Sequence, residues 1–331
     1  MHISLFAARL FAFAGLLASI IAGAWGQQVG IDKYPDKPVR LVVPGTAGAS
    51  PDIIARLLTQ KFTEAWGQQF VVDLRAGAGG AVGAEIVAKA IPDGYTLMLT
   101  SPGPSVQNVV LRKKPLYTLT DFSPIAYVGY TPLIVAANPK FPPNNIAELI
   151  AHAKAHPGKI NWGSSGTGGT SHTALEILKD ITGANIVHVP YKGAAPAMID
   201  LIGGQIDVLY TSTSAAGAHI KAGRLKILGV EGRKRQATLP DVPTLEEQGL
   251  KNTGAYLWLG LVTVARTPRP IIDKINRELN KVLQMPDVRQ RFNQLGLEIE
   301  GGTPEDFGAF IKAEADNLVR LVKAGVLQTV D

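Results

Sequence analysis

The sequence predicts an α/β protein of two domains, each a mostly parallel sheet flanked by helices, facing each other across a cleft. Three observations lead there. From Val39 onward the chain repeats one grammar, a short β-branched run, a Gly/Ser/Pro-rich turn and a segment of helical period, which is the pattern of βα units. That grammar fills two blocks joined by two extended crossings. The 331 residues amount to two domains at roughly 100–200 residues each. With 46% hydrophobic and 18% charged residues the chain has the apolar mass for packed cores, which excludes a disordered or collagen-like protein.

The elements follow in order. Arg9, the apolar run Leu10 to Ile21 and the small-residue site Ala22-Gly23-Ala24 read as a cleavable signal peptide over 1–24, and the run is shorter than the ~20 residues a membrane span needs. An exported chain without Cys fits a Gram-negative periplasm; it also excludes disulfides, thiolate zinc, a Cys nucleophile and a lipid-modified N-terminal Cys. Val39 to Val43 is the first strand and Pro44 to Ala49 its turn. A helix follows, with Ser50 as N-cap, Pro51 at the first helical position and Asp52 complementing the dipole. Phe70 to Leu74 and Tyr95 to Thr100 are the next strands, separated by the glycine-rich turn from Gly77 and a helix through Ala90.

Two extended runs, Phe122 to Val128 and Leu133 to Ala137, separated by Gly129-Tyr130-Thr131-Pro132, suit a crossing into the second domain. There the expected order is a helix from Ile146 to Ala155, a strand at Ile160 to Trp162, a hydroxyl-rich loop from Gly163 to Thr170 and a helix bearing Ala174, Leu175, Leu178 and Ile181. Strands at Ile186 to Pro190, Ile206 to Tyr210 and Arg224 to Val230 complete the block. Leu257 to Ala265 returns to the first domain. The stripe Ile271, Ile272, Ile275, Leu279, Val282 and Leu283 marks a helix, and Thr303-Pro304-Glu305-Asp306 opens the last one with a capping-box variant. The expected domains are 30–127 with 246–331, and 128–245. Sites in such sheets lie at the carboxyl ends of the strands, so the strand-to-helix loops should line the cleft.

The motifs narrow the chemistry. Gly77 to Gly83 lacks the third Gly of G-x-G-x-x-G, because Val82 stands there, and it follows the second strand; a turn needing positive φ is the better reading. The loop from Gly163 to Ser171 ends at a helix N-terminus, an arrangement that binds anions, and lacks the Lys of a P-loop. Gly163-Ser164-Ser165-Gly166 is one residue short of G-x-S-x-G, and neither His172 nor His188 has a partner fixed by sequence, so a serine hydrolase is disfavoured. His152 and His156 have the i,i+4 spacing of a metal pair, yet a solvated helix end before Pro157-Gly158 is the plainer reading. Lys192 is equally a ligand contact or a solvated lysine. The basic cluster Arg233 to Arg235 is too short for a nucleic-acid reading, and the net charge of +6 is spread along the chain.

Five segments then occur in a recognisable order: Tyr34-Pro35-Asp36-Lys37-Pro38-Val39-Arg40-Leu41-Val42-Val43-Pro44, Arg75-Ala76-Gly77-Ala78-Gly79-Gly80, Pro92-Asp93-Gly94-Tyr95-Thr96-Leu97, His188-Val189-Pro190-Tyr191-Lys192-Gly193 and Leu239-Pro240-Asp241-Val242-Pro243-Thr244. Over essentially the whole chain after Tyr34, this resembles the Bug family, the periplasmic solute-binding receptors of tripartite tricarboxylate transporters. The resemblance implies a type II periplasmic binding-protein fold that closes on a small organic carboxylate and delivers it to a two-subunit membrane permease. It implies no enzyme activity, no cofactor and no metal, and a monomer suffices for the task; a ligand-sensing subunit for a membrane signalling protein would use the same surface.

By position, the resemblance implies ligand contacts from Thr46, Ala47, Gly48, Ala49, Ser50 and Asp52 in the first loop. In the second domain it implies Ser164, Ser165, Gly166, Thr170 and Ser171, then Tyr191, Lys192 and Gly193, then Asp207 and Thr211, with Ser101 as a further candidate. Asp52 has an equal claim to a helix-dipole role. Family members often carry an aromatic residue at Gly45, Gly-Gly at Gly48-Ala49 and Asp at Thr211, so pocket size and polarity depart from the pattern.

Overall fold

The computed structural model describes residues 33–232, 234–251, 253 and 256–330. The expected signal peptide, 1–24, lies outside these residues, as does Arg233 of the basic cluster. Among the described residues no helix is long and apolar enough to cross a membrane.

The first βα block contains β1 (Val39–Val43), α1 (Ser50–Trp66), β2 (Phe70–Leu74), α2 (Ala81–Ala88) and β3 (Thr96–Thr100). β1 lies between β2 and β3 and is parallel to both. The second block contains α3 (Ile146–Ala155), β5 (Asn161–Ser164), α4 (Thr170–Thr182), β6 (Val187–Pro190), α5 (Ala194–Gly203), β7 (Val208–Ser212) and α6 (Thr213–Lys221). Here β5 lies between β6 and β7, again parallel to both. Between the blocks stands β4 (Phe122–Ala137), and after them come β8 (Lys226–Val230), β9 (Tyr256–Val264), α7 (Arg269–Gln284), α8 (Pro286–Gln294), β10 (Glu298–Gly301) and α9 (Pro304–Lys323). The sheet order is β2-β1-β3-β9-β4-β7-β5-β6, with β8 and β10 also paired to β4.

β4 corrects the expectation of two runs broken at Gly129 to Pro132. It is one continuous strand. Its first part, to Pro132, pairs antiparallel with β9, and its second, from Leu133, pairs with β7 and β8. Pro124 is accommodated by the register shift between Pro124 and Ala126, because a bulge removes the need for every N–H to join the ladder, and Pro132 stands opposite Tyr256 where the pairing of β4 passes from β9 to β7 and β8. β10 crosses so close to Gly129 that any Cβ there would collide with the carbonyl oxygen of Glu298. The strand's alternation also divides the second lobe's core: Leu133, Val135 and Ala137 pack on one face with Trp162 and Leu175, and Ile134 and Ala136 on the other with Met198 and Leu201.

Three local details differ from expectation. α1 has Ala49 as its N-cap with no side-chain cap, so Ser50 is the first helical residue and its hydroxyl is released from capping. β7 begins at Val208, two residues later than read, which places Thr211 inside the strand and Asp207 before it. α6, α8 and β10 were not expected: α6 is small and polar without an apolar stripe, and α8 buries only Val288 and Phe292, too little for a periodic signal. The capping box of α9 is present, with Asp306 N donating to Thr303 Oγ1 and Thr303 N to the Asp306 carboxylate.

Candidate functional site

At the carboxyl ends of the strands the two lobes enclose a cavity of about 100 Å³. Its wall includes the first residues or caps of several helices: Ala49 and Ser50 of α1, Gly80 before α2, Gly169 and Thr170 of α4, Gly193 and Ala194 of α5, and Ser212 before α6. Each such terminus carries a partial positive charge and free N–H groups, so their convergence favours an anion. No Asp or Glu contributes to the lining among the described residues, and its one charged residue is Lys192.

Two hydroxyls in that wall are without a hydrogen-bond partner although fully buried, Ser50 Oγ and Thr211 Oγ1. Ser50 is placed by the start of α1, and Thr211 by the register of β7 against Ile134 of β4. A buried hydroxyl without a partner costs free energy, so both are poised for a ligand or water to complete them. Nearby, Ser165 N donates to Ser171 Oγ at 2.9 Å and the two hydroxyls lie 3.1 Å apart, which ties the β5–α4 loop to the helix it precedes.

Of the residues marked in the sequence, the structure brings Thr46, Ala49, Ser50, Ser101, Ser165, Thr170, Ser171, Lys192, Gly193 and Thr211 into one wall. It places the others outside that wall. Ala47 and Gly48 lie on the turn behind it, and Gly48 N donates to Asp52 Oδ2 at 2.9 Å. Asp52 also pairs with Arg56 at 2.8 Å, so its carboxylate braces the turn and the start of α1. Tyr191 Oη donates to Asp200 at 2.7 Å, and burial together with that carboxylate pushes its pKa up to about 12. Asp207 precedes β7, at the end opposite the cavity, where it accepts from Asn161 N at 2.8 Å; the resemblance had marked it, and the strand that separates it from Thr211 carries it away from the wall.

Ser164 Oγ lies 2.6 Å from His188 Nε2, a contact the sequence could not show. The serine is completely buried, stands outside the cavity wall and accepts from Gly166 N at 3.2 Å. It is therefore a loop-bracing residue and no exposed nucleophile. Sequence reasoning also missed Gly79, Gly103, Ser212 and Leu257 in the wall. Gly79 sat in a motif tested only against nucleotides, and Leu257 enters because β9 returns beside the cleft.

The lobes meet directly beside the cavity. A Cβ on Gly79 would lie 2.7 Å from Thr167 O, and one on Gly166 would lie 2.9 Å from Gly79 N. Both glycines have positive φ, 64° and 129°, so only glycine satisfies the backbone and the approach together.

A model of the tripartite tricarboxylate transporter family receptor matches residues 54–327. The chain belongs to this family. Protein BugT of Bordetella pertussis is 33% identical to the receptor over 317 residues, covering 95% of this chain and 97% of BugT. An R. palustris protein solved with adipate superposes with a TM-score of 0.84 at 31% identity, over 88% of this chain and 97% of its own. MatC from Rhodopseudomonas palustris, solved with bound malate, superposes at 0.83 and 29% identity, over 87% of this chain and 100% of its own. The receptor thus has the two-domain periplasmic binding-protein fold expected from its sequence, and its family and neighbours are binding proteins.

Proposed function

We propose that the receptor captures a small organic carboxylate, of malate or adipate size, between its lobes in the periplasm and delivers it to a two-subunit membrane permease. The observation that carries this is the convergence of helix N-termini and two unpartnered buried hydroxyls on a cavity without acidic lining. A cavity of about 100 Å³ has room for several water-sized groups, which suits a small ligand. The adipate and malate bound by two structural neighbours support that class.

The ligand contacts in this reading come from Thr46, Ala49, Ser50 and Ser101 on one side and Ser165, Thr170, Ser171, Lys192, Gly193 and Thr211 on the other. Residues 30–127 with 246–331 form one moving body and 128–245 the other. The lobes close as a hinge about β4 and β9, as a monomer, because contacts to both halves favour the closed form. Calorimetric titration of dicarboxylates, tricarboxylates, aromatic acids and amino acids into the chain without its first 24 residues tests the reading. Binding confined to small dicarboxylates supports it; heat from none of the acids overturns it.

A further inference from the structure

Behind the β5–α4 loop, outside the cavity, two histidines form a stacked pair. His172 on α4 and His188 on β6 have ring centroids 4.2 Å apart with planes inclined by 27°. Each holds a different point of the loop. Gly168 N donates to His172 Nδ1 at 3.1 Å, so that nitrogen must be unprotonated. His188 Nε2 meets Ser164 Oγ, which already accepts from Gly166 N, so the hydroxyl hydrogen is available for the ring nitrogen. The same loop carries Ser165 and Thr170 of the cavity wall and the glycines facing the other lobe, where a Cβ on Gly168 would lie 3.2 Å from Asn108 Oδ1.

We infer that the neutral His172–His188 pair positions the anion-binding loop, and that protonation of the pair releases the loop and weakens ligand capture in acid. The inference rests on the proposed carboxylate reading only for its effect on affinity. An imidazolium at His172 sets an N–H against the Gly168 N–H, and two imidazoliums 4.2 Å apart repel.

The surrounding charges act in both directions. Glu176 lies 3.9 Å from His172 Nε2 and favours its protonation, while Lys179 on the same helix opposes it. Asp180 of α4 lines the groove outside, whose other wall is Leu111 and the uncharged tail from Gly325 to Val330. Burial outweighs Glu176 and lowers the pKa of His172, and burial, then His172 and Lys179, push His188 down to about 4. A histidine depressed in the ordered loop contributes stability that is complete above its ordinary value near 6.5 and is lost as pH falls toward the depressed one. The window is therefore about pH 6.5 to 4.

Hydrogen-exchange protection factors of the Gly166 and Gly168 amides, measured on the ligand-free chain, test this without any ligand. The expected result is a drop of about tenfold between pH 7.5 and 5 beyond that of the α9 amides. His172→Asn with His188→Gln keeps an acceptor near each lost ring nitrogen but cannot titrate, so protection should stay high and flat with pH. His172→Phe should give low Gly168 protection at every pH. Equal protection at pH 7.5 and 5 in the wild type, or an undiminished drop in the Asn/Gln variant, overturns the inference. Malate and adipate titrated at pH 7.5 test the carboxylate reading separately, since failure to bind leaves the amide result decisive.

Discussion

Gly193 of the second lobe lies against Thr46 of the first so tightly that a Cβ built on it would sit 2.8 Å from Thr46 Oγ1, and that hydroxyl accepts from Ala195 N at 3.3 Å. Glycine at 193 thus permits a side chain at 46 to reach the N-terminus of α5. Gly193→Ala should weaken binding of malate or adipate by at least about tenfold, because the added methyl overpacks the closed contact. Calorimetry on the single variants and on Gly193→Ala with Thr46→Ala should show non-additivity, the second change recovering part of the first loss. Additive losses would mean that the Gly193–Thr46 contact plays no part in the proposed closure.

The unpartnered hydroxyls predict opposite effects on binding and folding. Thr211→Val keeps the shape of the side chain and removes a buried oxygen with no partner of its own. The ligand-free protein should be equally or more stable, while affinity falls about fivefold to tenfold, the worth of roughly one hydrogen bond. Thermal melts with and without ligand measure both. A loss of stability in the free protein would mean that the hydroxyl serves the fold.

Charge in the wall separates two ligands of nearly equal size. Malate and aspartate differ by a hydroxyl for an ammonium, and no acidic side chain lines the cavity among the described residues. Aspartate should bind at least about tenfold more weakly, since its ammonium enters without a counter-charge. Competition titration at neutral pH reads the ratio, and equal affinities would contradict the proposed wall.

A stability change remote from the site serves as a control. Thr303→Ala removes both hydroxyl contacts with Asp306 at the start of α9. It should cost about 1 kcal/mol of stability and lower the melting temperature without altering ligand affinity. An affinity change would couple α9 to the cleft.

The legible parts of the fold were those with strong local signals. Val39–Val43, Phe70–Leu74 and Ile146–Ala155 have the predicted bounds because their β-branched runs or apolar stripe are flanked by proline, by polar residues or by the cap Asn145. The unreadable parts depend on neighbours distant in sequence. β4 is continuous because β9 and β10 pair along it despite its prolines. Composition marked the hydroxyl-rich loop from Gly163 to Ser171 as an anion-binding helix start, while the individual cavity residues were marked by the resemblance to the receptor family, and Ser212 before α6 was marked by neither. Asp207, marked only by the resemblance, stands before β7 and accepts from Asn161 N outside the wall. The Ser164–His188 contact spans 24 positions and depends on β5 and β6 lying side by side, a pairing no local pattern encodes.

A cavity framed by helix ends has a kinetic consequence. The partial charges of aligned peptide dipoles fade within a turn of the terminus, so they reach an anion only once it is between the lobes. The helix ends then add little electrostatic steering to arrival, and its ionic-strength dependence is left to Lys192 and the diffuse net charge. Differences in affinity among carboxylates should accordingly appear in how long each stays bound. Stopped-flow traces of malate and adipate should give similar association rates at low and high salt, with release rates that follow the affinities.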